Sequence, residues 1–412
     1  MGNLVKIALR NLLRYRRRTL LTTSLIAIGV IFVLLFVAVT GSFKNMMIAE
    51  TTDSMLGHLQ VHRKGYVASI ENLPLNLNLK GGALTRLEQM LDQRPEIEAW
   101  SPRLKFGAMF STFVETTNIR LNGIDPGREA ATVPLLAARL LEGEPLLSPG
   151  QIWVPELLAR GMKVGVGDTV VVVATNQDGS VNGRQLVVAG ILESATGPGG
   201  RDGYLHFDDA AAILRLPERE VSEIAIRLRD FKQLSTLAAE LESLLAQELN
   251  QQGRPIYELH TWEKLSPFYN IARMIEVMTF FVKLMLIAIV LVSIMNVMIM
   301  AVYERIREIG TMAAIGTLPG RILAMFMLEG FSLGVVGAIS GGLLGLLLVG
   351  VLNLAGITYD FGRRQGLILQ AEIAWSELAL ISVIVIIGAV LASLQPAFKA
   401  SRLDPIKALR HV

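Results

Sequence analysis

The sequence contains no cysteine. Disulfides, thiolate nucleophiles and cysteine-ligated zinc are therefore excluded. It also lacks the P-loop, H-E-x-x-H, G-x-S-x-G and protein-kinase patterns. We therefore expect no catalytic residue, no metal and no cofactor in this chain, and no nucleic-acid partner.

Histidine is scarce, with five in the chain. His58 and His62 are four residues apart and share a face on either a helix or a strand, as metal ligands can. The alternation of "HLQVH" favours a strand, and the sequence shows no acidic residue or third histidine beside the pair. We therefore do not predict a metal site.

Long apolar runs are what the sequence does have. Hydrophobic residues make up 52% of its 412 residues. Four runs are long enough to cross a hydrocarbon core of about 30 Å. They predict membrane spans at residues 20–42, 273–303, 322–357 and 377–398.

Basic residues indicate which side each end of a span faces. Arg16, Arg17 and Arg18 precede the first span, and they are suited to anchoring the chain to anionic headgroups. Further basic residues lie between the second and third spans and after the fourth. By the positive-inside rule, both chain termini and the 304–321 segment are cytoplasmic, and residues 358–376 form a short outer loop.

The long insert, residues 43–272, then lies outside the cytoplasm. Runs such as "DTVVVVATN" at 168–176 predict strands, whereas "FKQLSTLAAELESLLAQEL" at 231–249 has the apolar spacing of a helix. We predict a large α+β domain of two lobes, in which a β-rich lobe at about 112–205 interrupts an αβ lobe.

Three polar residues fall inside the predicted spans, where polar groups are costly. Lys283 lies near an outer end and can snorkel to the interface, and Asn296 can bond to a neighbouring helix. For Glu329 the options are the interior of the bundle, a partner arginine or water at the inner leaflet. We expect packing and anchoring roles for all three.

The third span carries glycines spaced by three or four residues, which places them on one helical face and allows close helix approach. Two interpretations stay open: packing within the chain, against the second or fourth span, and a dimer face. The residues are Gly330, Gly334, Gly337, Gly341 and Gly345.

The segment at 304–321 is unusually elaborate for a link between two spans. Alternating charges are followed by small residues and then by Pro319 and Gly320. This pattern predicts that the second span continues to about Arg307 and that a short helix follows, ending at Gly316.

Within that helix we expect Met312 and Ile315 to form an apolar knob suited to a groove in a cytoplasmic partner. The predicted contact residues are Glu304, Arg305, Arg307, Glu308, Gly310, Thr311, Met312, Ala314, Ile315 and Gly316.

Three motifs resemble those of MacB/FtsX-type (type VII) ABC transporter permeases. "REIGTMAAIGTLPGRI" at 307–322 resembles their coupling segment, and "ALRNLLRYRRRTLLT" at 8–22 resembles their amphipathic N-terminal helix and first-span entry. "PAFKASRLDPIKALR" at 396–410 resembles their C-terminal signature. "GHLQVHRKGY" at 57–66 and "HTWEKLSPFYN" at 260–270 look closest to the lipoprotein-releasing LolC/LolE-like branch.

The resemblance implies a periplasmic core domain of the MacB type, an amphipathic helix at 1–19 and a cytoplasmic tail at 399–412. It implies a bacterial inner-membrane protein with a separate ABC ATPase, which binds ATP and Mg and takes residues 308–318 into its groove. It also implies a second permease copy, identical or not, and a periplasmic chaperone or adaptor.

The mechanism that the resemblance implies is mechanotransmission, in which ATPase closure moves the extended helices of spans one and two and hence the outer domain. The implied cargo is a lipoprotein or another lipid-like molecule. Three alternatives remain: an efflux permease of the macrolide-exporter kind, a regulator of a cell-wall hydrolase, and a four-span receptor with an external sensor domain.

Overall fold

A computed structural model describes residues 10, 14, 16–194, 202–361, 364–404 and 408. It divides into two compact units. The helical unit contains the residues up to Asn45 together with those from Arg273 onward, and the sheet unit is Met46–Ala272. Most of the expected N-terminal helix, 1–19, and half of the expected tail, 399–412, lie outside the described residues.

The helices of the described part of the chain are α1 Arg16–Thr51, α2 Gly81–Asp92, α3 Pro126–Thr132, α4 Glu156–Met162, α5 Phe207–Ile213, α6 Leu234–Leu245, α7 Trp262–Leu265, α8 Phe268–Glu304, α9 Ile306–Ala314, α10 Pro319–Leu354 and α11 Trp375–Ser401.

The strands in the same residues are β1 Leu59–Arg63, β2 Leu79–Lys80, β3 Ile97–Ser111, β4 Thr116–Ile124, β5 Leu140–Gly143, β6 Gln151–Pro155, β7 Thr169–Thr175, β8 Val181–Leu192, β9 Asp202–His206, β10 Glu220–Val221, β11 Glu223–Leu228, β12 Tyr257–Thr261, β13 Thr358–Phe361 and β14 Arg364–Ile368.

Four helices of the described residues are long and apolar enough to cross a membrane: α1, which a π-helical turn extends to Leu56, and α8, α10 and α11. All four contribute to one buried core, because apolar side chains recur every four residues on their inner faces. Its members include Ile26, Val30 and Leu34 from α1, Ile294 and Met298 from α8, Phe326 and Leu333 from α10, and Val385 and Ala389 from α11.

The segment between α10 and α11 is more ordered than the loop expected at 358–376. It forms an antiparallel hairpin of β13 and β14. At the end of α10, the Asn353 side chain donates to the carbonyl of Ala371, which follows the hairpin. It also accepts from the Ala371 amide, and both bonds are 2.9 Å long. These two hydrogen bonds tie the end of α10 to the segment that leads into α11.

The sheet unit is built on a ten-stranded sheet of the described residues, in the order β12-β1-β11-β3-β4-β9-β6-β8-β5, with β7 paired to β3 and β8. Strands from both ends of the unit and strands from 112–205 therefore share one sheet. The fifteen-residue β3 links them, since it pairs with β11 near its start and with β4 and β7 farther along. The proposed border between two lobes is thus not a break in the sheet.

Candidate functional site

The short helix α9 is bounded by two specific backbone features. Arg305 leaves the helical path at φ −113° and ψ 17°, so α8 ends one residue earlier. At the other end, Gly316 adopts φ +93°, which favours glycine. Its amide donates to the Ala313 carbonyl at 3.1 Å, and Thr317 donates to Met312 at 3.0 Å, as in a Schellman cap. The sequence predicted this helix and its end, but placed the break two residues too late, at Arg307.

Arg305 fastens the break to the neighbouring span. Its Nη1 lies 3.2 Å from Oε2 of Glu329 in α10, and its Nε lies 3.0 Å from Oε2 of Glu308 in α9. Only 5% of the Arg305 side chain and none of the Glu329 side chain is exposed. A carboxylate buried at this depth requires a partner. The structure therefore selects two of the options open for Glu329, the bundle interior and a partner arginine.

The inner face of α9 packs against its own chain. Ile306 and Ile309 are buried, and a Cβ at Gly310 would lie 2.7 Å from the Cβ of Ala408. Glycine is needed at 310 because Ala408 approaches so closely. Met312 also packs partly against the bundle core.

The outer face of α9 ends in an exposed apolar tip. Ile315 is 78% exposed, and Leu318 is exposed just beyond the cap. The knob predicted from Met312 and Ile315 is therefore formed by Ile315 and Leu318, while Met312 turns inward. The other exposed residues predicted as contacts are Glu304, Arg307, Thr311, Ala314 and Gly316, and Glu308 is half-buried.

The glycine stripe of α10 lies inside the helical unit. A Cβ at Gly334 would lie 2.7 Å from the Ala389 Cβ of α11, and Gly330 faces Ser393 of the same helix. Gly337, Gly341 and Gly345 face Ile26, Val30 and Leu34 of α1. The stripe thus serves packing within the chain, against the first and fourth spans.

The remaining predicted residues lie at the periphery. Lys283 Nζ is 4.0 Å from Oε1 of Glu377 in α11. Asn296 is exposed on α8 and, in the described part of the chain, makes no hydrogen bond to another helix. Arg16 and Arg17 are exposed at the start of α1, and the side chain of Arg18 lies outside the described residues.

An apolar cleft of about 540 Å³ lies between α1 and α8 within the helical unit. Phe36, Val39, Thr40 and Phe43 line it from α1, and Ile275, Met278, Thr279 and Val282 line it from α8. Beside it, Lys44 donates to Glu276 at 2.7 Å and links the same two helices. The cleft could not be predicted from one segment of the sequence, because its walls come from two helices that are far apart along the chain.

A second feature that the sequence did not reveal is a buried charge cluster in the sheet unit. Arg103 pairs with Glu129 at 2.7 Å and with Glu223 at 3.1 Å, and Lys105 pairs with Glu223 at 2.8 Å. His62 Nε2 lies 3.5 Å from the same carboxylate. Burial raises the pKa of Glu223, but Lys105, His62 and Arg103 lower it by more, so it stays well below its usual range.

Neither His58 nor His62 faces an open site. His58 Nδ1 accepts from the Leu228 amide at 2.9 Å, and His62 stacks on the Tyr66 ring. No group of three or more acidic or histidine side chains in the described residues could hold a metal ion.

These features define a multi-spanning membrane protein with a large α/β domain between its first two spans and a braced helix between its second and third. Residues 19–244 match the family model of the MacB-like periplasmic core domain, and residues 280–405 match that of the FtsX-like permease C-terminal region. The chain belongs to this family of MacB/FtsX-like ABC transporter permeases, near its LolC/LolE branch.

Curated relatives agree with this assignment. The chain is 25% identical to the lipoprotein-releasing system transmembrane protein LolC of Neisseria meningitidis, over 79% of this chain and 81% of LolC. It is 25% identical to the ABC transporter permease YknZ of Bacillus subtilis, over 99% and 98% of the two chains. The pyoverdine export ATP-binding/permease protein PvdT of Pseudomonas putida is 34% identical, over 54% of this chain but only 33% of PvdT.

Proposed function

We propose that this chain is the non-catalytic permease subunit of an ABC transporter whose ATP and Mg²⁺ are bound by a separate cytoplasmic ATPase. The chain spans the bacterial inner membrane with both termini in the cytoplasm and the sheet unit in the periplasm. A second permease copy completes the membrane part. The positive-inside distribution of arginines around α1 and α9 supports this orientation.

The observation that carries the proposal is the construction of α9. It presents Ile315 and Leu318 outward, while its inner face is fixed by Gly310 and by the Arg305–Glu329 pair. A short exposed helix whose apolar residues fit a groove is a recurrent protein-recognition mode. Because α9 is held at its start by Arg305 and at its middle by Gly310, a push on its outer face is passed to α8 and α10 rather than absorbed by a flexible loop.

For the cargo we propose a lipoprotein or another lipid-like molecule. The cleft between α1 and α8 is almost purely apolar and lies, in the proposed orientation, toward the periplasmic side of the membrane. Lipid tails are as apolar as its walls, so a chain can leave the bilayer for the cleft at little cost and be released again. The LolC relative, named for lipoprotein release, is matched over most of its length, which supports this cargo class.

The ATPase contact is tested by Ile315→Ser in the full chain purified from native membrane. We expect ATPase copurification to fall about tenfold, the loss of roughly 1.4 kcal/mol of contact energy. Leu354→Ser is the matched control, since Leu354 is 88% exposed at the other end of α10 and should leave copurification unchanged. If wild-type chain brings down no nucleotide-dependent ATPase, or if Ile315→Ser retains it, the proposed coupling fails.

A further inference from the structure

The helix α1 continues into the sheet unit and ends there in the π-helical turn Thr52–Leu56. The last carbonyls of a helix have no partner within it and usually bond to water. Here all five carbonyls of the turn are bonded. Thr52 accepts from the Gly57 amide, Asp53 from the Leu135 amide and Leu56 from the Gln60 side chain, each at 2.8 Å.

Two buried arginines supply the other two bonds. Arg103 Nη1 donates to the Met55 carbonyl at 2.7 Å, and Arg139 Nη1 donates to the Ser54 carbonyl at 3.5 Å. The C-terminal end of a helix carries partial negative charge, so cations are favourable there. These donors are themselves fixed, because Arg103 pairs with Glu129 and Glu223, and Arg139 also donates to the Glu193 carbonyl at 2.8 Å.

A third arginine binds the side chain of Asp53 within the turn. Arg227 Nη1 from β11 lies 2.7 Å from Oδ1 of Asp53, and His58 Nε2 lies 3.5 Å from the same oxygen. Burial raises the pKa of Asp53, but His58 and Arg227 together lower it by more, so this carboxylate stays charged at neutral pH. The turn is therefore held from β3, from β11 and from the segment before β5.

We propose that Arg103, Arg139 and Arg227 form an arginine socket that fixes the end of α1, at Thr52–Leu56, to the ten-stranded sheet within the sheet unit. They act as positioning residues. The use of this joint to carry motion to the periplasm rests on the proposed function, whereas its rigidity does not.

The test uses the absence of cysteine, which lets Ala49→Cys and Gln185→Cys carry two nitroxide labels without background. Pulsed electron paramagnetic resonance on the full chain in nanodiscs gives the spread of the distance between the last turn of α1 and exposed β8, which both lie in the sheet unit. We expect a narrow distribution in the parent. Arg139→Gln and Arg227→Gln should broaden it about twofold as the joint loosens.

Arg94→Gln is the matched control. Arg94 is 21% exposed and pairs with Glu240, much as Arg227 is 20% exposed and pairs with Asp53, but it does not touch the turn. An unchanged distribution in both socket variants, or equal broadening in Arg94→Gln, overturns the proposal.

A second measurement separates the joint from the transporter role. In the complex with its ATPase, Arg139→Gln should lower cargo released per ATP roughly fivefold while ATP hydrolysis persists. Unchanged cargo release per ATP, with a loosened joint, overturns the mechanical role. If the parent chain has no ATPase to couple, the proposed function fails, and the distance measurement still decides whether the socket is rigid.

Discussion

At the scale of single residues, Arg305 tests how much a buried ion pair contributes, because it contacts two carboxylates of very different exposure. Glu329 is fully buried, whereas the Glu308 side chain is 42% exposed. We predict that Glu329→Gln destabilises the helical unit by about 3–5 kcal/mol, because the buried guanidinium loses its buried counter-charge.

The control variant is Glu308→Gln, which changes the same arginine's exposed partner. We expect it to cost about 0–1 kcal/mol, as solvent and salt screen such a pair. Thermal unfolding of both variants in the same detergent gives the comparison. Equal losses would mean that burial of Glu329 does not decide the strength of this contact.

Glu223 provides a pH-dependent prediction at the same scale. Its pKa in the folded state lies below its unfolded value of about 4.3, so its stabilising contribution is present above that pH. It is lost as pH falls toward the folded pKa. Glu223→Gln should therefore cost about 3–5 kcal/mol at pH 7, and this difference from wild type should shrink below pH of about 4.

Urea unfolding followed at pH 7, 5 and 3 measures the effect. A gap between Glu223→Gln and wild type that stays constant down to pH 3 would show that the charge of this carboxylate is not what stabilises the cluster. Asp168→Asn is a suitable reference, because Asp168 is an exposed acid outside the cluster.

At the scale of elements, the glycines of α10 set how closely three helices approach. We predict that Gly341→Val destabilises the helical unit by about 3 kcal/mol, because its Cβ would lie 2.7 Å from the Val30 Cβ and 2.9 Å from the Ala27 backbone. The Ala27 backbone cannot rotate away from the added side chain, as a flexible side chain could. The control is Gly350→Val in the same helix, where nothing lies within 4 Å.

Thermal unfolding in detergent, with helix content followed by circular dichroism, distinguishes the two variants. Gly350→Val should unfold at or slightly above the wild-type temperature, since valine replaces a flexible glycine at an open position. If Gly341→Val does the same, the close approach of α1 and α10 is not present in the protein.

The elements themselves were largely readable from local patterns. Long apolar runs predicted α1, α8, α10 and α11, and the strand-like run at 168–176 predicted β7, because those signals lie within one segment. Which elements contact one another could not be predicted from local patterns. Arg305 and Glu329 were singled out separately, but only the folded chain shows them paired, and the same holds for Arg103 with Glu129 and Glu223.

The inward orientation of Met312 could not be predicted for the same reason. Sequence spacing placed it beside Ile315, but which of the two faces solvent depends on how α9 is rotated. That rotation is set by the break at Arg305 and by the contact of Gly310 with Ala408. Neither constraint is local to the apolar pattern from which the knob was predicted.

At the scale of the whole molecule, both units are joined by uninterrupted helices. The limit of the sheet unit at Met46 falls within α1, and its limit at Ala272 falls within α8. The cleft lies between the same two helices, within the helical unit.

This arrangement leads to a prediction about cargo. Thr279→Trp places a large side chain in the cleft, and it should lower the initial rate at which a synthetic lipopeptide is extracted from proteoliposomes about tenfold. ATP hydrolysis should persist, because the change is remote from α9. Val292→Trp is the control, since Val292 is exposed on the same helix and does not line the cleft. Equal extraction rates for the two variants would contradict passage of the acyl chains through the cleft, even if the ATPase still couples to the chain.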